Sequence, residues 1–328
     1  MDIADRLARA RHPGRAFRTR DPLTPTRGPA MPMHHHPRED ALVHSLYDSK
    51  TGSFQYVIAD PVTRQAAIID PVLDFDEKAG HVATTNADAL LAHVEREGLE
   101  VVWILDTHPH ADHLSAAPYL KERLGTPTAI GEHVTGVQAL WKDLYALADL
   151  ATDGSQWDRL FADGDSFAIG ALQAQVLFSP GHTMASISYV VGRNAFVHDT
   201  LMMPDSGTSR ADFPGGDAHQ LYGTLQRILA LPDDTALFVG HDYGKDRRAP
   251  ACMSTVAEQR ARNIHLAGNV DEAAFVHTRQ ARDATLPLPA LMLHALQVNM
   301  RGGRLPEPEA NGRRYLRIPL GQFTPPAA

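Results

Sequence analysis

The alternation of apolar and polar residues predicts an α/β protein whose elements come in two successive groups. The first group contains four short apolar runs typical of buried strands, at 54–58, 66–71, 101–105 and 127–130. It also contains three stretches with helical periodicity, at 88–97, 116–124 and 133–150. Gly98 follows the first of these stretches and indicates where that helix ends.

The second group is richer in strands. Apolar runs predict strands at 172–178, 186–191, 195–200 and 236–239, and one helix is expected at 218–231. We interpret the chain beyond this point as helical to about residue 282, then proline-rich and irregular. Two groups of strands and helices, each ending on residues that bind metals, predict an αββα sandwich. In it two mixed sheets pack face to face with helices outside.

Residues 1–40 differ in composition from the remainder of the chain. Arginines alternate with prolines there, and such a stretch cannot bury enough apolar area to fold, so we expect a mobile arm. We interpret His34, His35 and His36 as part of this solvated arm and not as a metal site. The predicted organisation is therefore an arm over 1–40 and one catalytic domain over 41–328, with a short helical and irregular C-terminal extension.

The overall composition limits the classes of partner. The chain has 328 residues, 43% hydrophobic and 21% charged, and a net charge of −8, which is ordinary for a globular protein and argues against nucleic acid. No apolar run approaches the ~20 residues of a membrane span, and the first ten residues lack the apolar core of a secretory signal. We expect a cytoplasmic enzyme. The single cysteine, Cys252, is interpreted as a packed thiol that opens a helix.

The candidate chemistry is concentrated after the predicted strand 101–105. There the sequence reads Thr107-His108-Pro109-His110-Ala111-Asp112-His113, a cluster of three histidines and one aspartate. Loops that leave the carboxyl ends of strands are where α/β proteins place their chemistry. One histidine would fit an ordinary polar loop, whereas the H-x-H-x-D-H order at a strand end favours metal ligands.

Three further strand ends carry candidate ligands. They are His182 after Pro180-Gly181, Asp199 after His198, and His241 after Gly240. Alone, each would fit a turn or a helix cap, but together they can converge at one rim of the sheets. Imidazole and carboxylate ligands suit zinc, iron and nickel.

The order H-x-H-x-D-H, P-G-H-T, aspartate and G-H resembles that of the metallo-β-lactamase superfamily over about residues 42–245. The resemblance implies an αββα fold with a mononuclear or binuclear metal site at the sandwich edge, and it leaves the reaction open. The segment Arg210-Ala211-Asp212-Phe213 and the segment His241-Asp242-Tyr243 resemble the persulfide dioxygenase family. Residues 205–209 depart from that family before the arginine. Residues 297–299 and 311–316 resemble a bacterial branch called β-lactamase-like hydrolase, found in sulfide-responsive operons.

Resemblance to persulfide dioxygenases implies one Fe(II) per chain, held by His108, His182 and Asp199. It implies oxidation of glutathione persulfide by O2 to sulfite and glutathione in sulfide detoxification, and it favours a homodimer. The residues His110, Asp112, His113 and His241 would then orient ligands and handle protons. Asp112, Arg210 and Tyr243 are the catalytic candidates. Arg210 is either a donor to a glutathione carboxylate or a salt-bridge partner of Asp212, and Tyr243 is either a hydroxyl donor or a packing residue.

Two alternatives remain open at this point. In a glyoxalase-II-like hydrolase of glutathione thioesters, His108, His110 and His182 would hold one zinc, Asp112, His113 and His241 a second, and Asp199 would bridge them. The two ions would lower the pKa of a bound water. The short segment after Tyr243 and the residues 210–213 favour iron. The third hypothesis is a non-catalytic, metal-dependent binding protein, against which the open-sided ligand set argues. Asp70 is expected to brace the histidine loop.

Overall fold

A computed structural model describes residue 23, residues 31–38 and residues 40–323 of the chain. The strands are β1 (His34–Pro37), β2 (Leu42–Asp48), β3 (Ser53–Ala59), β4 (Gln65–Ile69), β5 (Val72–Asp76), β6 (His81–Ala83), β7 (Glu100–Leu105), β8 (Leu114–Ser115), β9 (Thr128–Gly131), β10 (Arg159–Phe161), β11 (Ser166–Ile169), β12 (Leu172–Phe178), β13 (Ile187–Val191), β14 (Asn194–His198), β15 (Ala236–Val239) and β16 (Met253–Thr255). The helices are α1 (Thr85–Glu97), α2 (Ala117–Leu124), α3 (Val134–Leu144), α4 (Ala218–Leu229), α5 (Val256–Arg262), α6 (Glu272–Asp283) and α7 (Met292–Asn299).

Two mixed sheets form the centre of the molecule. The first has seven strands in the order β1-β2-β3-β4-β7-β9-β10, and the second has six in the order β11-β12-β13-β14-β15-β16. In the first sheet β4, β7, β9 and β10 are parallel, and in the second β14 and β15 are parallel. The other pairings in both sheets are antiparallel.

Apolar side chains fill the space between the two sheets. Tyr56 of the first sheet packs edge-on against Phe196 and Phe238 of the second, with ring centroids 5.2 and 5.5 Å apart. Helices α1, α2 and α7 cover the outer face of the first sheet, and α4, α5 and α6 cover that of the second. The αββα sandwich expected from the sequence is thereby confirmed. No helix of the described part is long and apolar enough to cross a membrane.

The structure differs from the expected elements mainly where a segment lacks a periodic pattern. The helix expected to reach residue 150 ends at Leu144, and Ala146 follows with a positive φ of 50°. The region expected to be irregular contains α7, whose residues are buried on most sides and so show no amphipathic stripe. Cys252 is a buried thiol, as expected, but it precedes strand β16 and does not open a helix.

The prediction of a mobile arm is wrong for residues 34–37, which form strand β1. Strand β1, which contains the three histidines, pairs antiparallel with β2. It thereby covers a sheet edge that β2 would otherwise leave unpaired. The His36 ring nitrogen Nε2 lies 2.9 Å from Ser45 Oγ and 3.4 Å from Cys252 Sγ. Arm residues 1–22, 24–30 and 39 lie outside the described residues, so the arm stays a prediction for them.

Candidate metal centre

The topology brings the candidate ligands to one edge of the sandwich. Strand β7, which leads into the histidine loop, is parallel to β4, whose carboxyl end leads into Asp70. In the second sheet, β12 runs in the same direction as β14 because both are antiparallel to β13, and β15 is parallel to β14. The ends of these strands carry His182, Asp199 and His241. Ligands from both sheets therefore meet at a shared rim.

His108, His182 and Asp199 form the first ligand group. One ligand atom from each lies within 4.8 Å of the others. The His108 and His182 Nε2 atoms are 3.6 and 3.5 Å from Asp199 Oδ2. All three residues are buried. The structure therefore brings together the residues expected to hold iron.

Hydrogen bonds fix which nitrogen of each ring faces this group. The His182 Nδ1 donates to the backbone carbonyl of Arg210 at 2.9 Å, which leaves the Nε2 lone pair for a metal. The Thr107 hydroxyl donates to Asp70 Oδ2 at 2.8 Å, so its oxygen accepts from His108 Nδ1, 3.0 Å away. Both imidazoles thus present an unprotonated Nε2 toward Asp199.

The unpaired polar atoms of this group fit a cation. His108 Nε2 and Asp199 Oδ1 are buried and have no hydrogen-bond partner among the described residues. Such atoms cost stability unless something satisfies them. Burial, together with the neighbouring rings of His110, His198 and His182, lowers the pKa of His108 well below its ordinary value. The ring is therefore neutral, which is the form that binds a metal.

Asp112 and His241 form a second group beside Asp199. His241 Nε2 lies 3.2 Å from Asp112 Oδ2 and 3.4 Å from Asp199 Oδ1. Asp112 also accepts hydrogen bonds from the Ser53 hydroxyl at 2.9 Å and from His113 Nδ1 at 2.8 Å. Burial would raise the pKa of Asp112, but His241 and His113 hold it well below its usual range. Burial would lower the pKa of His241, but Asp112 and Asp199 raise it to about 10.

His110 is directed away from the first group. Its Nε2 is 3.0 Å from Asp70 Oδ1, and the same carboxylate accepts the backbone N–H and the hydroxyl of Thr107. Despite burial, Asp70 raises the pKa of His110 to about 9. The ligand atoms of His110 group with those of Asp70 and Asp106, or of Asp112 and His113, and not with the first group. Asp70 thus braces the histidine loop, as the sequence suggested.

Two glycines of the motifs are required by close approach. An added Cβ at Gly240 would lie 2.4 Å from Asp199 Oδ1. Gly181, before His182, has a φ of +128°, and an added Cβ there would lie 2.3 Å from the backbone of Leu221 in α4. Any side chain at either position would displace a ligand or the helix that supports it.

A cavity of about 670 Å³ opens from the ligand groups to the surface. Apolar side chains form much of its wall, and they include Met202, Phe213, Ile264, Leu286 and Leu288. Four cations line it as well: Arg210, Lys245, Arg279 and Arg282. Lys245 Nζ donates to the backbone carbonyl of Asp205 at 2.7 Å. Neither Lys245 nor Arg282 forms a salt bridge with any residue in the described ranges.

The structure places Arg210 and Tyr243 at the wall of this cavity. The Arg210 guanidinium pairs with both carboxylate oxygens of Asp212, at 2.6 and 2.8 Å, and lies 4.8 Å over the Phe213 ring. The salt-bridge alternative is therefore what the structure shows for Arg210. Tyr243 is 69% exposed, and its ring stacks on that of His241 with centroids 5.9 Å apart.

Sequence reasoning missed two residues that hold the ligand loops. Ser53, at the start of β3, bonds Asp112 and forms an isolated bridge with His241. Asn299, the last residue of α7, donates from Nδ2 to the carbonyls of His110 and His113 and accepts the N–H of Ser115. Each pairs with residues far away in the chain. Asn299 belongs to the segment 297–299 that resembles the bacterial branch, but no local signal indicated this role.

The match to a known family decides the classification. The model of the metallo-β-lactamase superfamily matches residues 50–241. The chain belongs to this superfamily. The resemblance drawn from the motifs is confirmed.

Relatives within the superfamily carry different names. A "Beta-lactamase hydrolase-like protein" of Xylella fastidiosa (strain Temecula1) is 65% identical over 278 residues, which is 85% of this chain. The chain spans only 64% of the length of that relative. "Glyoxylase B2" of Dictyostelium discoideum is 45% identical over 83% of this chain and 94% of its own length. Human "Persulfide dioxygenase ETHE1, mitochondrial" is 29% identical over 80% of this chain and 89% of its own.

Among solved structures, ETHE1 from Myxococcus xanthus is similar over nearly its whole length. It is 32% identical to this chain, with a TM-score of 0.65, and the match covers 80% of this chain and 99% of that one. This metallo-β-lactamase superfamily member therefore has persulfide dioxygenases among its homologues.

Proposed function

We propose that this protein is a persulfide dioxygenase that binds one Fe(II) per chain. The observation that carries the proposal is the three-residue ligand face of His108, His182 and Asp199, a group that the ligand atoms of His110 do not join. Two imidazoles and one carboxylate on one face are typical of non-haem iron oxygenases. The relatives named persulfide dioxygenase, in sequence and in structure, support it.

In the proposed reaction, glutathione persulfide, O2 and water give glutathione, sulfite and two protons. The sulfur–sulfur bond breaks, the outer sulfur gains two oxygen atoms from O2 and one from water, and O2 is reduced. Iron supplies open positions at which O2 and a soft sulfur ligand can bind side by side. His241 Nε2, between Asp112 and Asp199, is placed to hold a proton next to these positions.

The cavity suits an anionic thiol compound. Glutathione carries two carboxylates, and the cavity cations Lys245 and Arg282 form no salt bridge with any of the described residues. A guanidinium binds a carboxylate through paired hydrogen bonds, so Arg282 is the stronger donor of the two. Three N–H groups of Arg210 are directed to Asp212 and to the carbonyl of Pro287, which leaves two for a substrate. This cationic lining favours glutathione persulfide over a neutral persulfide.

A second candidate is a binuclear hydrolase of glutathione thioesters. The group of Asp112, Asp199 and His241 gives a second ion a place beside the first, and the name of the Dictyostelium relative favours such chemistry. His110 Nδ1 is buried without a hydrogen-bond partner among the described residues, but the ligand atoms of His110 do not group with those of His108, His182 and Asp199.

Metal analysis of anaerobically purified protein, combined with an oxygen-electrode assay, tests the proposal. We expect one iron per chain, O2 uptake that depends on glutathione persulfide, and sulfite as the product. Two zinc ions per chain, rapid thioester hydrolysis and no O2 uptake would establish the hydrolase instead. No turnover of either substrate would favour a binding protein.

A further inference from the structure

A second, much smaller cavity lies behind His182. It measures about 20 Å³, compared with about 670 Å³ for the cavity at the ligand groups. Val137 and Trp141 of α3 and Met292 and Leu296 of α7 line its inner part, and all four are buried. A space of this size accommodates about one water-sized molecule, so glutathione cannot enter it.

The chemistry of the lining makes this cavity dry. A buried water needs two to four polar partners. The Thr183 hydroxyl is already bonded to Ser186 Oγ at 2.8 Å, and His182 Nδ1 to the Arg210 carbonyl at 2.9 Å. Apart from the single indole N–H of Trp141, the remaining lining side chains are apolar, so a water would not find the partners it needs. Such a space is a site for a small apolar molecule.

A single layer of side chains separates the two cavities. Ala111, His182 and Phe213 line both of them. The Phe213 ring packs edge-on to that of His182, with centroids 5.4 Å apart. Pro214, which also lines the small cavity, is exposed to solvent. A molecule that enters near Pro214 therefore reaches His182 without passing the mouth of the larger cavity.

We propose that this small cavity is a binding site and entry route for O2. The inference rests on the proposed function, because only an oxygenase needs a second route for an apolar diatomic gas. A separate route lets O2 reach the iron after the larger substrate has filled the main cavity. Movement of the Phe213 ring would open the way between them.

Xenon binding tests the cavity without any turnover. In crystals of the metal-loaded protein under xenon, we expect a xenon atom among Val137, Trp141, Met292 and Leu296. The variant Val137→Leu adds one methylene to this space, and xenon should be lost from it. Leu296→Phe fills the same space from α7. It replaces Val137→Leu in the experiment if Val137→Leu does not fold. Wild-type crystals without xenon at this position would overturn the proposal.

Steady-state kinetics test the role in O2 delivery. Val137→Leu should raise the KM for O2 roughly tenfold, the lower end of what one methylene contributes in a tight apolar pocket, with an unchanged KM for glutathione persulfide. The matched control is Ile264→Ala, which lines only the larger cavity and should change the KM for persulfide alone. If a variant has lost xenon but its KM for O2 is unchanged, the entry route is contradicted, whereas the proposed function is not. A wild-type enzyme without persulfide-dependent O2 uptake contradicts the proposed function as well.

Discussion

Asp70 controls the state of the histidine loop through a single carboxylate. It adopts a positive φ of 51°, and this bend directs its oxygens to His110 and to both polar groups of Thr107. Through Thr107 it also fixes the orientation of His108. One buried charge thereby keeps His110 in place and sets the ring orientation of a metal ligand.

The contrast between His110 and His182 gives the first prediction. His182→Ala should abolish iron binding, because Nε2 of His182 belongs to the ligand face. His110→Ala should retain close to one iron per chain, because its ligand atoms lie outside the group of His108, His182 and Asp199. The measurement is iron content of the folded, monodisperse fraction of each variant. His110→Gln, whose amide can still donate to Asp70, is the control for metal loss that is caused by a folding defect. Equal loss of metal in all three variants would refute the one-ion site.

His265 gives a prediction about pH. Burial, then the charges of Arg279, Arg282 and Lys245, lower its pKa to about 4, while its neutral Nδ1 accepts the N–H of Thr208 at 3.0 Å. The unfolded chain has the ordinary pKa of about 6.5. Between these values the unfolded state binds more protons. The free energy of unfolding should therefore fall as pH drops from about 6.5 to about 4.

Denaturant titrations at pH 7 and pH 4 measure this contribution. His265→Gln keeps an acceptor for the Thr208 N–H but does not titrate, so it should lose less stability between the two pH values, by roughly 2 kcal/mol. The exposed His277 provides the control, His277→Gln, which should behave as the wild type. A pH dependence of His265→Gln identical to that of the wild type would contradict this role.

At the scale of elements, α7 is the support of the metal centre. Its last residue, Asn299, binds three backbone groups of the segment 110–115. Its side chains Met292 and Leu296 pack against α3. The helix thus connects the outer layer of the first sheet with the loop that carries His108.

Asn299→Ala should therefore disturb both stability and metal binding. It leaves one buried N–H and two buried carbonyls without partners, each of which costs about 1–3 kcal/mol. We expect a fall in the free energy of unfolding of at least about 3 kcal/mol and reduced iron content. Thermal denaturation and metal analysis measure the two effects. Asn311→Ala, at an exposed amide bonded to the Tyr315 hydroxyl, should change neither.

Helix α7 is one of the features that could not be predicted from the sequence. Strands such as β3, β7 and β12 were predicted because uninterrupted apolar runs mark strands buried in a sandwich. The ligand groups were predicted because the histidine and aspartate motifs stand at strand ends. Helix α7 has no polar face, and β1 follows from pairing with β2, so neither has a local signature. The bond between Asp70 and His110 is likewise a tertiary contact without a local signature.

For the whole molecule, we expect metal binding and folding to be coupled. Among the described residues, His108 Nε2, His113 Nε2, His241 Nδ1 and Asp199 Oδ1 are buried without hydrogen-bond partners, and both sheets contribute to this group. An ion bound there joins the two halves of the sandwich. Ligands that bind only the folded state stabilise it in proportion to the logarithm of their excess over Kd.

Chelation should therefore lower the melting temperature of the whole domain. At a metal concentration of about 100 Kd the stabilisation is about 2.7 kcal/mol, which corresponds to a shift of roughly 5–10 °C for a domain of this size. Calorimetry before and after removal of the metal measures it. His182→Ala should melt at the same temperature with and without chelator. A wild-type transition that does not move on chelation would show that the ion is not coupled to the sandwich.

The pairing of β1 with β2 has a practical consequence for shortening the chain. A truncated protein that begins at Ala41 would lack β1 and leave the backbone of β2, from Leu42 to Asp48, as an open edge. Open edges recruit strands from neighbouring molecules, so light scattering of this truncation should show self-association that a protein beginning at Met31 avoids. We therefore expect strand β1, which contains the three histidines, to protect the edge of β2 from self-association.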